Sequence, residues 1–227
     1  MMGRHHAASG ALAGLALGLI TREPAATTLA AGAVCAGAAL LADLDEPHST
    51  VARAAEPVSG AISYLTATLA GGHREATHSV LAAGLAAGGT AALGLVTLAP
   101  GVPASVVPLG VTLALAARAV PPRALRVGRL GALVAGAAAA WAITRYVGLG
   151  WWVVASVALG WLVHVLGDAL TTGGVPVLWP LRRRVSWPVL GATGSTREAL
   201  LGVVLLVAVV VVAWSPCATV VAARLRG

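Results

Sequence analysis

The chain has 227 residues, 58% of them hydrophobic and 10% charged, with a formal net charge of +7 and a mean hydropathy of +0.88. A water-soluble core does not need that much apolar surface, so the composition excludes a soluble enzyme or binding module and specifies an integral-membrane protein. The positive charge is all arginine, set in loops between apolar runs where it orients a membrane protein, so no nucleic-acid partner is expected.

The first apolar segment, residues 7–21, follows Gly3-Arg4-His5-His6. It has the outline of a signal peptide, but no small-x-small cleavage site precedes the next apolar run, and it is read as a retained helix. Gly10, Gly14 and Gly18 recur every fourth residue and predict a face that a second helix approaches closely. A second helix is predicted over 25–42, ending in Asp43-Leu44-Asp45-Glu46-Pro47-His48. Three carboxylates in four residues repel one another unless they are solvated or bind a cation. The run 58–70 is shorter than the ~20 residues a crossing needs and is read as interfacial or re-entrant. Residues 71–79, GGHREATHS, are expected to open a third helix that continues to about residue 100, with Arg74 and His78 on one face.

A fourth helix over 102–117 carries Pro103 and Pro108, which predict a kink. Beyond an arginine-rich loop at 118–129, a fifth helix is expected over 130–144 and a sixth over 149–171. Trp141, Trp151 and Trp152 suit an interfacial aromatic belt. In the sixth helix His164 and Asp168 stand four residues apart on one face, the spacing of a metal site or a proton relay. Segment 173–180 is apolar, prolyl and glycyl and is read as dipping against the interface, followed by Arg182-Arg183-Arg184. A last helix over 199–214, nearly all Val, Leu and Ala, suits a lipid-facing position. The expectation is an all-α, multi-pass transmembrane bundle of about seven spans with interfacial or re-entrant segments, a single domain over residues 1–227.

Alternating the sides of seven crossings puts eleven arginines on the side of the amino terminus and four on the other, which places the first side in the cytoplasm. His6, Asp43, Asp45, His73, His78, His164, Asp168 and Glu198 all fall on that same side. Imidazole with carboxylate suits zinc first, with manganese or iron as alternatives, and seven ligands, His6, Asp43, Asp45, His73, His78, His164 and Asp168, are enough for one or two ions. Such a metal activates water and polarises a carbonyl or phosphoryl oxygen, so hydrolysis is the economical inference. Arg74 offers a fork for a phosphate, and Ser79 a hydroxyl for the same group. Asp45 or His73 is the candidate proton-handling base. Glu198 is either a further catalytic carboxylate or a helix-start acid favoured by the dipole, and His5 is expected to be solvated. A site at headgroup level favours an amphiphilic substrate, a membrane lipid or a lipid phosphate.

At these residues the chain resembles the YdjM-type inner-membrane proteins, a family described as LexA-regulated, membrane-bound, metal-dependent hydrolases. The resemblance is carried by HAASG at 6–10, LLADLDEP at 40–47, GHREATHS at 72–79, LVHVLGDALTTGGVPVLWPL at 162–181 and GSTREALL, with Glu198, at 194–201. It implies a multi-pass membrane hydrolase with its metal ligands among the seven residues named. One departure is that Glu46 stands where many relatives carry the His of Asp-x-Asp-His, so a ligand role is not carried over to position 46. Two other functions gather the same residue types: a metal-ion transporter and a non-catalytic, metal-binding regulatory protein. Transporters usually place ionisable groups near the bilayer midplane, and the middles of these helices carry none.

Overall fold

The computed structural model describes residues 1–121, 123–181 and 183–225. Arg182 of the basic cluster and Arg226 lie outside the described residues. The chain forms α1 (Gly3–Ile20) and α2 (Ala25–Ala38), the latter followed by a 3-10 turn at Leu41–Asp45, then α3 (Val58–Ala70) and α4 (Val80–Gly94). A short hairpin, β1 (Thr97–Ala99) with β2 (Val102–Pro103), leads into α5 (Val106–Ala119), α6 (Arg129–Tyr146), α7 (Trp151–Ala169) and α8 (Thr196–Leu225). This is a helical membrane protein. Three segments, Ala25–Asp45, Trp151–Ala169 and Thr196–Ala218, are long and apolar enough to cross a bilayer. The 13 residues of α3 reach only about 20 Å, well short of a ~30 Å hydrocarbon core.

Helix α2 is the centre of the bundle, packed against α1, α5, α7 and α8. Its sequence, AATTLAAGAVCAGA, explains why. Small side chains let backbones close in where lipid supplies no hydrophobic drive for association. The glycine stripe of α1 lies on it: a Cβ at Gly10 would stand 2.6 Å from the Cys35 carbonyl oxygen, and one at Gly18 2.7 Å from Thr28 Cα. Gly160 of α7 meets Ala38 in the same way, at 2.8 Å. Larger side chains fill the remaining space, with Val34, Leu109, Leu113, Trp152, Val153 and Val157 in one buried cluster.

Three sequence expectations change. The third helix does not begin at residue 71. Gly71, Gly72 and Arg74 have φ of 87°, 115° and 62°, values a right-handed helix cannot contain. The segment is a loop with a 3-10 turn at Ala76–His78, and α4 starts at Val80. Neither proline kinks the fourth helix: Pro103 sits in β2, and Pro108 falls in the first turn of α5, where its missing N–H costs no helical bond. The segment after α7 folds back on the bundle. Val175 pairs antiparallel with Val185, Thr171 bridges Gly191, and Val175 is buried against Val165 and Ala169.

Candidate metal centre

Five element ends meet at one end of the bundle. The start of α1 brings His6, the 3-10 turn after α2 brings Asp43 and Asp45, and the loop before α4 brings His73, Arg74 and His78. The last turns of α7 bring His164 and Asp168, and the start of α8 brings Glu198. Asp45, His6, His78, His164 and Asp168 are all fully or almost fully buried.

Four ligand atoms converge at the centre. His78 Nε2 lies 3.1 Å from His164 Nε2, 3.6 Å from Asp43 Oδ1 and 3.5 Å from Asp168 Oδ2. His164 Nε2 lies 3.5 Å from Asp43 Oδ1 and 3.7 Å from Asp168 Oδ2. Ligands held at zinc's usual bond lengths in a tetrahedron stand about 3.3–3.6 Å from one another, so these separations suit a first-row cation. The seven candidate ligands fall into two adjoining groups, Asp43, Asp45, His73 and His78 in one and His6, His164 and Asp168 in the other.

Hydrogen bonds set the imidazoles for that role. His164 Nδ1 is 2.6 Å from the carbonyl oxygen of Ala39. A carbonyl only accepts, so Nδ1 carries the proton and Nε2 presents its lone pair to the centre. Thr77 Oγ1 donates to Asp45 Oδ2 and stands 2.9 Å from His78 Nδ1, so it accepts there and turns Nε2 of His78 inward. His6 is different. It is completely buried, stacks on His164 with ring centroids 3.7 Å apart, and sets Nε2 3.2 Å from Asp168 Oδ1, while Nδ1 has no hydrogen-bond partner among the described residues. Leaving a buried polar group unsatisfied costs about 1–3 kcal/mol, which a cation bound at Nδ1 would offset. The donor set and the unpartnered Nδ1 of His6 both fit a divalent metal.

The acids give the pocket its electrostatics. Burial disfavours charge on His78, but Asp43 and Asp45 outweigh that effect and push its pKa up to about 9. The imidazolium thus supplies the positive charge that the carboxylates require. Asp168 faces Arg74, whose Nε is 2.9 Å from Oδ2 and whose Nη2 donates to Oδ1 at 3.1 Å, and the amino group of Met1 lies against the same carboxylate. Asp45 accepts from the Arg74 backbone N–H at 3.1 Å and is 2.9 Å from His73 Nδ1. His73 is the half-exposed member, lining a polar cavity of about 340 Å³ with Asp43, Glu46, His48 and Arg74.

Four residues have work other than the sequence suggested. Arg74 spends its fork on Asp168, because its left-handed backbone aims it inward and off any helix face. Ser79 is the N-cap of α4, accepting from Ala82 N and donating to Ala76 O, and it is fully buried. Glu198 joins elements: it accepts from the backbone N–H of Met2 at 2.5 Å and of Gly194 at 2.7 Å, and lies 2.7 Å from His5 Nδ1. His5 is consequently buried rather than solvated. Thr77, which orients both Asp45 and His78, is not among the residues expected from the sequence, although its place beside His78 in GHREATHS is a usable signal. Ala39 could not have been found in this way, since it contributes a backbone carbonyl.

The model of the YdjM inner membrane protein family matches residues 1–124 and 128–223. Inner membrane protein YdjM of Escherichia coli K12 and its counterpart in Shigella flexneri are each 47% identical over 45 residues, 18% of this chain and 23% of theirs. The alignment therefore spans under a quarter of those relatives' length. No solved structure gives a significant match. With the family model covering nearly the whole of a helical membrane chain, the chain belongs to the YdjM inner membrane protein family.

Proposed function

We propose that the protein is a metal-dependent hydrolase of the inner membrane, acting at the cytoplasmic face on a lipid-linked or amphiphilic ester or phosphoester. The observation that carries this reading is the convergence of His78 Nε2, His164 Nε2, Asp43 Oδ1 and Asp168 Oδ2, with imidazole–imidazole and imidazole–carboxylate separations of 3.1–3.7 Å, beside the buried His6, which pairs with Asp168 through Nε2 and leaves Nδ1 without a partner among the described residues. Those residues, with Asp45 and His73 beside them, would hold one or two divalent ions, zinc first by donor type. When bound, the metal supplies Lewis acidity, polarising a substrate oxygen and lowering the pKa of water.

The chain's own residues supply the rest. Asp45 fixes the His73 ring at the wall of the polar cavity, an acid–imidazole pair suited to taking and returning a proton. Arg74 balances the charge of Asp168 and ties the loop before α4 to the end of α7. An apolar groove of about 510 Å³, lined by Leu69, Leu81, Leu85, Trp161 and Trp179, runs up to Thr77 and Ser79 on the flank of the site, and it supports an amphiphile as substrate. The arginine asymmetry supports a cytoplasmic site in a seven-span arrangement with α3 at the interface.

The test is metal analysis of purified protein together with hydrolysis assays on phospholipid, lipid-phosphate and acyl-lipid panels. Turnover that is lost with chelator and in Asp168→Asn is the expected result. Metal accumulation in vesicles without turnover would show a transporter instead, and metal-free protein would end the proposal.

A further inference from the structure

The first turn of α1 serves two sites. His6 turns to the metal centre, while His5 turns to α8, where Gly202 lies so close to it that a Cβ there would collide with the imidazole. Beyond His5 a cavity of about 430 Å³ opens between the start of α1, the end of α5 and the start of α8. Arg4, His5 and Arg126 line it with Pro121, Gly202 and Leu206, and no acidic side chain is among its walls. A second cavity of about 430 Å³ shares Val120 and Pro121 with the first and continues along the bundle between α1, α2, α5, α6 and α8. Its walls, among them Leu15, Leu29, Leu113, Ala135, Val209 and Ala213, are entirely aliphatic.

The mouth of this channel is strongly basic. Arg4 spends its Nε on His5 and Arg126 its Nε on the carbonyl of Pro121, both at 3.1 Å. Arg118, on the last turn of α5, lies in the field of Arg126 and Arg129, and its Nη1 is buried with no hydrogen-bond partner among the described residues. Arg129 is neutralised by Glu56 at 2.7 Å. Two cations, Arg4 and Arg126, with Arg118 beside Arg126 and no acid among the lining residues, therefore stand at the rim of an aliphatic channel. That is the charge and polarity profile of an anionic lipid set upright: phosphate at the rim, hydrocarbon below.

We propose that this cleft is a binding site for one anionic phospholipid, its phosphate on Arg4 and Arg126 with Arg118 reinforcing them and one acyl chain in the aliphatic channel. The site is distinct from the metal centre and lies on a different face of α1. The lipid would wedge between α5 and α8 and hold the loosely packed α8 against the bundle.

The test is native mass spectrometry of the full chain in mild detergent with added phosphatidylglycerol or phosphatidylcholine of the same acyl composition. Wild type is expected to retain phosphatidylglycerol at least five-fold over phosphatidylcholine. The Arg4→Gln/Arg126→Gln variant should bring the two to parity with metal content unchanged, and Ala213→Trp, which fills the channel and leaves the rim intact, should reduce both. Equal retention of the two lipids by wild type, or a preference that survives the double substitution in a folded protein, overturns the proposal.

Discussion

Segment Ala25–Asp45, made of α2 and the turn after it, and segment Thr196–Ala218 of α8 are both long and apolar enough to cross a membrane, the second the more apolar, yet 72% of the first is buried inside the protein and 6% of the second. Hydropathy alone would rank α8 as the more interior. The order reverses because water is not the solvent on either side: valine and leucine are equally at home in lipid, so bulk gives α8 no reason to leave it. Helix α2 is made of Ala, Gly, Thr and Cys but for Leu29 and Val34, and small residues allow the close backbone approach that a lipid contact cannot match. In this protein side-chain size separates inside from outside, and hydropathy only separates membrane from water.

Substitutions on the two helices test that distinction. The largest effect is expected at Gly37 of α2, whose missing Cβ points at the Thr112 backbone of α5. Gly37→Leu should cost upward of about 3 kcal/mol, since backbone cannot give way as a side chain can, and appear as loss of monodisperse protein. At the centre reached by the end of α2, Asp168→Asn should lower metal content at least about tenfold, in a protein that still folds. The same centre should respond to pH. A proton on His78 competes with a cation until the pH passes about 9. Metal affinity should then rise about tenfold per pH unit from 7 toward that value and flatten above it, which titration calorimetry in several buffers would read as proton release.

The comparison sharpens at the start of α8, where Glu198 is fully buried. Glu198→Gln removes the charge that gathers His5 and two backbone amides, and should cost about 1–3 kcal/mol. Metal occupancy should fall several-fold through loosening of His6, and Glu198→Asp should restore part of it. Farther along, Val210 is 63% exposed, and Val210→Ala should stay within about 0.5 kcal/mol by thermal melting. A large loss there would mean that α8 has a partner in the bilayer.

Much of this was legible in the sequence, and the boundary of legibility has physical causes. The stripe at Gly10, Gly14 and Gly18 announced the α1 contact, because four-residue spacing of small side chains is a local signal with one structural meaning. Helices α6 and α7 fall within two residues of their predicted ends, since charge and glycine mark those ends. The composition of 71–79 is compatible with a helix start, and only the backbone shows Gly71, Gly72 and Arg74 in the left-handed geometry of a loop. Segment 173–180 reads as an interfacial dip and proves to be part of a fold-back over 171–191, since cross-bridges between residues ten and twenty apart leave no periodicity. Arg74 looked like a substrate ligand because a sequence shows which groups are charged and never whether a distant partner, here Asp168, has already claimed them.

The grouping of five element ends also has a consequence for how the protein is made. His6 leaves the ribosome about 160 residues before Asp168, and at ~5–20 residues per second that interval is roughly 8–30 s. Until translation reaches α7 there is no receptacle for an ion, only scattered donors on separate nascent segments. If the centre holds a metal as proposed, loading would follow membrane insertion of nearly the whole polypeptide, and a chain stalled before Asp168 should leave the translocon without a site to charge.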